Sequence, residues 1–254
     1  KESQSMMRSS NPVLSNKAFE QYDVYESTGT MTVAGTAMKT GILLVLVITS
    51  AAFVWKIFTA NQANAMQAAM PWMIGGLFGG LVLALITIFK KDLAMYTAPL
   101  YALAEGLFLG GISAMYNHHY NGIVFQAASL TFATMAVMLI AYSTGIIRAT
   151  ERFKSGVCAA TGGICLVYFI SIMMNMFGAQ MPMIHSAGPM GILFSLFVVV
   201  IAALNLVLDF DFIERGAERG APKSLEWYGA FGLLVTLVWL YLEILRLLSK
   251  LNRR

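Results

Sequence analysis

Seven long apolar stretches constrain the fold of this chain more than any other feature. They cover residues 38–58, 70–90, 94–116, 122–147, 155–178, 187–211 and 225–248. A helix needs about 20 predominantly apolar residues to cross the hydrocarbon of a bilayer. Backbone groups in hydrocarbon must be hydrogen-bonded within the protein, and the alternating pattern of a membrane β-barrel is absent, so each stretch predicts a helix. The sequence therefore predicts an all-α membrane protein, a bundle of seven transmembrane helices.

The composition supports this class. The chain has 254 residues, of which 58% are hydrophobic and only 12% are charged. A soluble domain usually contains about 25% charged residues. Residues 1–30 are polar, lack helical periodicity and show no signal-peptide pattern. We expect a polar cytoplasmic N-terminal tail over residues 1–30, followed by one transmembrane domain over residues 31–254.

The net charge of +4 does not indicate nucleic acid binding, because the basic residues cluster at the ends of the apolar stretches. Three clusters lie in alternate loops: Lys90 and Lys91; Arg148, Arg152 and Lys154; and Arg215, Arg219 and Lys223. Cytoplasmic loops collect Lys and Arg. The pattern predicts a cytoplasmic N-terminus, and we expect the protein to lie in the inner (plasma) membrane. The basic C-terminal end, which seven crossings place outside, conflicts with this orientation.

Carboxylates inside the apolar stretches are the candidate functional residues. Glu105 lies in the middle of the third stretch, Asp209 and Asp211 lie at the end of the sixth, and Glu243 lies within the seventh. Such groups cost about 2.5–3.5 kcal/mol at membrane depth, and they usually face a cavity or an ion pathway. Three have a structural alternative: Asp209 and Asp211 fit markers of the cytoplasmic membrane interface, and Glu243 can pair with Arg246 one turn away.

Glu105 has no basic residue within one turn, so we expect it to be protonated or paired with another helix. The depths of the other two follow from the turn at residues 220–222. Asp209 lies about 12 residues before this turn and Glu243 about 21 after it, a difference of roughly 14 Å at 1.5 Å per residue. Glu105 matches the depth of Glu243 more closely than Asp209 does.

The sequence gives little support for cysteine chemistry, a metal site or protease activity. Cys158 and Cys165 are expected to be ordinary small residues within an apolar helix. His118, His119 and His185 lie in loops, where histidines that contact only water are more common than metal ligands. An intramembrane aspartyl protease would need a Gly-x-Gly-Asp step, which is absent before Asp209. We therefore expect no enzymatic activity and no cofactor.

Several short segments resemble the transmembrane Bax inhibitor motif family, in its bacterial branch. The sixth and seventh stretches contribute LDFDFI at 208–213 and LYLEIL at 240–245, and the third contributes AEG at 104–106. The segments RSSNPVLS at 8–15 and EWY at 226–228 are similar to one bacterial subgroup. The seven-helix plan extends this resemblance over nearly the whole chain.

The resemblance implies a bundle with the last helix at its centre and a pH-sensitive calcium leak. Carried across, the family's pair of aspartates would be Asp209 and Glu243, which would sense protons and bind Ca²⁺. The sequence departs from the family in having Glu243 in place of an aspartate. The difference in depth also argues against direct pairing.

Two functions follow. The first is a calcium leak channel or cation/proton exchanger, in which Ca²⁺ and H⁺ compete at Asp209, Glu243 and Glu105, with Asp211 nearby. Carboxylate oxygens suit Ca²⁺, here as a transported or bound ion. The alternative is a non-conducting regulator, embedded in the lipid bilayer, whose N-terminal tail binds a protease or another membrane complex.

Overall fold

Seven α-helices account for nearly all of the described chain. The structure, a computed structural model, describes residues 29–60, 64–178 and 188–253. The helices are α1 (Val33–Ala60), α2 (Ala65–Phe89), α3 (Ala94–His119), α4 (Ile123–Ser143), α5 (Glu151–Met176), α6 (Pro189–Glu218) and α7 (Leu225–Asn252). A single 3₁₀ turn, Lys91–Leu93, precedes α3. The described residues contain no strand.

All seven helices are long and apolar enough to cross a membrane, with mean hydropathies between 1.3 and 2.7. The predicted fold class is therefore confirmed. The largest difference in bounds is in α6, which continues to Glu218 instead of ending at residue 211. Charged residues follow the apolar stretch directly and are compatible with a helix, so hydropathy alone places its end too early. As a result, Asp209 lies well inside α6.

The C-terminal helix α7 is central, as the family resemblance implied. It packs against α1, α3, α4 and α6. Leu234 and Leu240, on different sides of α7, have no exposed surface. Helices in a bilayer associate through close packing and interhelical hydrogen bonds, since lipid is as apolar as leucine. Contact on several sides therefore makes α7 the element that organises the bundle.

Small residues bring α1 and α2 close to α3. A Cβ atom on Gly110 would lie 2.8 Å from the Cα atom of Ala51 in α1, and one on Gly76 would lie 2.8 Å from the backbone nitrogen of Phe108. Real Cβ atoms do not approach other atoms so closely, so glycine is required at both contacts. These three helices form one closely packed side of the bundle.

The start of α1 is joined to the turn between α6 and α7. The backbone N–H of Met31 donates to the carbonyl of Ala221 at 2.7 Å, and that of Lys223 donates to the carbonyl of Gly29 at 3.2 Å. These two segments therefore share one side of the bundle, and seven crossings place the end of α7 on the other. Most of the predicted tail, residues 1–28, lies outside the described residues, as does His185.

Candidate functional site

Asp209 lines a cavity between four helices. The cavity has a volume of about 420 Å³ and lies between α2, α3, α6 and α7. Its lining also includes Tyr101 of α3, together with Tyr228 and Gly232 of α7. The ammonium group of Lys91, in the 3₁₀ turn before α3, lies 5.1 Å from the centre of the Tyr228 ring. The cavity thus lies towards the side of the bundle that carries the α6–α7 turn. Below it is called the Asp209 cavity.

One carboxylate oxygen of Asp209 is buried without a partner. Its Oδ2 atom has no hydrogen-bond partner in the described part of the chain. Thr236 of α7 lies within hydrogen-bonding reach of the same carboxyl group. Buried polar atoms are nearly always hydrogen-bonded, and an orphan is costly. An oxygen without a partner, on a residue that lines a cavity, is therefore suited to receive a proton, a water molecule or a cation.

Glu105 lies next to the same region through Tyr101. The side chains of Glu105 and Tyr101 are one turn apart on α3 and are hydrogen-bonded to each other. The Glu105 carboxylate packs against α2, where a Cβ atom on Gly80 would lie 3.2 Å from Oε2. Tyr101 also lines the Asp209 cavity. Its side chain therefore contacts Glu105 and borders the cavity that Asp209 lines. None of the ion pairs between described residues involves Glu105.

Glu243 is buried in a different network. The phenol of Tyr168, on α5, donates to Oε1 and Oε2 of Glu243 at 2.9 and 3.0 Å. A guanidinium nitrogen of Arg246 lies 3.0 Å from Oε1 and also donates to the Tyr168 oxygen at 2.6 Å. Glu243 is only 2% exposed, and its partners occupy both oxygens. The geometry is that of the local ion pair, strengthened by a tyrosine.

The structure does not bring Asp209 and Glu243 together. The α7 residue facing Asp209 is Thr236, which precedes Glu243 by seven residues, or about 10 Å along the helix axis. The described chain has no hydrogen bond between the two carboxyl groups, and the partners of Glu243 are Tyr168 and Arg246. The antiparallel register of α6 and α7 sets this separation, in agreement with the difference in depth estimated from the sequence.

Asp211 is neutralised by two cations. Its Oδ2 atom lies 2.7 Å from the ammonium group of Lys154 on α5, and its Oδ1 atom accepts from Arg215 at 2.9 Å. Asp211 is 8% exposed. It therefore connects α5 to α6 as a structural ion pair close to the side of the α6–α7 turn.

One buried ion pair was not anticipated from the sequence. Glu226, at the start of α7, pairs with Lys39 of α1 and accepts from both the backbone and the hydroxyl of Thr32 at 2.9 Å. Glu226 is 1% exposed. In the sequence, Lys39 lies near the start of the first apolar stretch and Glu226 near the start of the seventh. No local pattern predicts that these two residues form an ion pair.

The remaining candidate ligands do not assemble into a metal site. Among the described residues, no group of three or more His, Cys, Asp or Glu side chains is close enough to hold a metal ion. Cys158 and Cys165 are free and exposed on α5. The rings of His118 and His119 pack edge-to-face, and Nδ1 of His119 lies 2.9 Å from the carbonyl of Met115.

The fold and the buried ionisable groups define a class, the multi-pass α-helical membrane proteins with carboxylates inside the bundle. Within it, the family model described as Bax inhibitor 1 like matches residues 11–253, nearly the whole chain. The chain therefore belongs to the Bax inhibitor 1 like family. Searches of curated proteins and of solved structures found no match.

Proposed function

We propose that the protein is a cation pathway, a calcium leak or cation/proton exchanger, in which Asp209 is the ion-binding group. The observation that carries this proposal concerns Asp209: this residue lines a cavity, and its buried Oδ2 atom has no partner among the described residues. An ionisable group at membrane depth usually marks an ion or proton route. Membership of the Bax inhibitor 1 like family is consistent with an ion-related function in a membrane.

The sparse ligand set of the Asp209 cavity suits transport better than storage. Ca²⁺ binds tightly when six to eight oxygen ligands surround it. Here one carboxylate, the Thr236 hydroxyl and the phenols of Tyr101 and Tyr228 are the side-chain oxygens of described residues close to the cavity. A conducting site must bind an ion strongly enough to admit it and weakly enough to release it. A proton competes for the same oxygen, which makes the pathway sensitive to pH.

The other carboxylates take different parts in this proposal. Glu105, which is hydrogen-bonded to Tyr101, is the second ion-binding residue of the proposed pathway. Glu243 and Asp211 are already paired with cations, and we assign them to holding the helices in place. The protein is then a transporter and not an enzyme, with Ca²⁺ and H⁺ as cargo and no resident cofactor. We place it in the inner membrane with the N-terminus in the cytoplasm.

Calcium flux into liposomes tests the proposal. We expect the Asp209→Asn variant to lose about tenfold or more of the flux, as removal of a charged contact worth about 1.5–3 kcal/mol implies. The remaining flux should respond less steeply to pH, because only Glu105 then titrates on the proposed route. Asp92→Asn is the matched control, because Asp92 is exposed in the 3₁₀ turn before α3 and does not line the cavity.

Equal flux and equal pH response in wild type and Asp209→Asn would contradict this assignment. Absence of flux from the wild-type protein would refute the pathway itself. If a membrane protease or another complex then co-purified through the tail, the non-conducting regulator would be the better interpretation.

A further inference from the structure

A long apolar crevice opens sideways between α1 and α4, on another side of α7 from the Asp209 cavity. One stripe of α1, from Leu44 to Thr59, forms the first wall, and α4 forms the second. The floor belongs to α3 and α7 and includes Ser113 and Tyr241, whose hydroxyl oxygens are 2.6 Å apart. Both walls pack against α7, and the space between them is about 520 Å³.

The dimensions of this α1–α4 crevice match an extended hydrocarbon chain. The α1 stripe from Leu44 to Thr59 is about 22 Å long at 1.5 Å per residue. This is roughly three-quarters of the ~30 Å hydrocarbon core of a bilayer. The floor includes residues of α7, the central helix, so the crevice extends from the outside of the bundle towards its centre. Its apolar lining favours a lipid chain over water.

The polar end of the crevice is positively charged. Lys56 and Thr59 lie at this end, near the end of α1. Lys56 is exposed and takes part in no ion pair between described residues. The sequence contains no Asp or Glu in residues 50–91, 106–150 or 244–254, the segments that surround this side of the bundle. No acidic side chain of these segments can therefore neutralise Lys56.

We propose that the α1–α4 crevice binds one acyl chain of an anionic phospholipid, with the lipid phosphate on Lys56. A phospholipid matches this arrangement. Its long apolar chain fits the apolar crevice, and its phosphate lies at the end where Lys56 is located. The lysine side chain is long enough to reach the headgroup level while its stem lies along apolar surface. The acyl chain of the lipid covers the floor of the crevice at Leu234, Leu237 and Tyr241, and so closes the helix bundle on this side of α7.

Lipid retention by the purified protein tests this site without any measurement of flux. The full-length protein is equilibrated with equal amounts of phosphatidylglycerol and phosphatidylcholine, and the retained lipids are counted by native mass spectrometry. We expect the wild type to retain phosphatidylglycerol preferentially. A cationic side chain near a membrane surface gives about a fivefold preference for anionic lipid, so Lys56→Gln should lose about that factor. Lys56→Arg should keep it.

A second variant tests the crevice itself. Ala52 lines the α1 wall, so Ala52→Trp should fill the space and lower the retention of both lipids. The matched controls are Lys90→Gln, on the opposite side of the bundle, and Ala159→Trp, on the exposed face of α5. The proposal would be overturned if the wild type retained the two lipids equally. It would also be overturned if Lys90→Gln changed lipid retention as much as Lys56→Gln, or Ala159→Trp as much as Ala52→Trp. Thermal unfolding of each variant separates loss of the site from loss of the fold.

Discussion

Four carboxylates inside the helix bundle fall into two groups according to their partners. Glu226 and Glu243 each have a cation and a hydroxyl donor in place, from Lys39 and Thr32 in one case and Arg246 and Tyr168 in the other. Asp209 and Glu105 take part in none of the ion pairs that the described residues form. A carboxylate that is already satisfied gains little from an arriving ion, whereas an unsatisfied one gains a full contact. For this reason the proposed function assigns Asp209 and Glu105, rather than the ion-paired carboxylates, to the ion pathway.

The phenol of Tyr101 is expected to couple these two groups. Tyr101→Phe keeps the ring that packs 5.0 Å from Phe231, and removes only the hydroxyl that contacts Glu105. We predict that calcium flux falls about two- to tenfold, as the loss of a hydrogen bond worth about 0.5–1.5 kcal/mol implies. The control is Tyr96→Phe, on the same helix but 64% exposed. Flux that is unchanged in both variants would exclude the phenol from the route.

Among the elements, α5 is distinguished by how it is attached. It is the least buried of the seven helices. Three polar contacts recur along it: Lys154 to Asp211, Thr161 to Asn205, and Tyr168 to Glu243. Their α5 residues are seven apart, or about two turns, so they lie on one face. Polar contacts therefore hold α5 where its apolar packing is limited to a small cluster around Ile164.

Removal of the three contacts should loosen α5 and leave the rest of the bundle in place. We predict that Lys154→Met, Thr161→Val and Tyr168→Phe together lower the free energy of unfolding by about 2–4 kcal/mol, since interhelical hydrogen bonds in membranes are worth about 0.6–1.7 kcal/mol each. A nitroxide on the native Cys165, in a Cys158→Ser background, should become more mobile in electron paramagnetic resonance spectra.

Ser155→Ala is the control for α5, because Ser155 is on the exposed face of the helix. If the triple variant left the nitroxide as immobile as in the control, apolar packing alone would be holding α5, and the three contacts would have no mechanical role.

At the scale of the whole molecule, the charges are distributed unequally across the bundle. The start of α1 and the α6–α7 turn lie on one side, with Asp92, Glu151 and Asp211 near the helix ends there. The last residues of the chain, 244–254, contain no carboxylate side chain and several basic residues. Three basic loops on the first side outweigh this single basic end, so we infer that the first side is cytoplasmic.

Labelling from outside the cell tests this orientation. In a Cys158→Ser/Cys165→Ser background, we predict that Asn252→Cys reacts with a membrane-impermeant maleimide on intact cells. Arg219→Cys should react only after the membrane is permeabilised, because it lies at the α6–α7 turn. The reverse pattern would place the N-terminal tail outside, and the basic C-terminal end would then have decided the topology.

The sequence by itself determined the seven helices and the candidate carboxylates. Each helix follows from a local requirement, because about 20 apolar residues must satisfy their own backbone in hydrocarbon. The cost of a charged group at membrane depth is likewise a local property, and it identified Glu105, Asp209 and Glu243 without any knowledge of their neighbours. The depth difference between Asp209 and Glu243 also followed from counting residues, because helical rise is uniform.

Only the tertiary structure decided which of these groups are satisfied. Lys39 and Glu226 are 187 residues apart, and Tyr168 and Glu243 are 75 apart, so no local pattern could pair them. The register of α6 against α7 placed Thr236, rather than a second carboxylate, beside Asp209. Partner choice depends on how helices pack, which is a property of the whole bundle. For that reason the sequence identified the ionisable groups, and the packing determined which of them keeps an oxygen without a partner among the described residues.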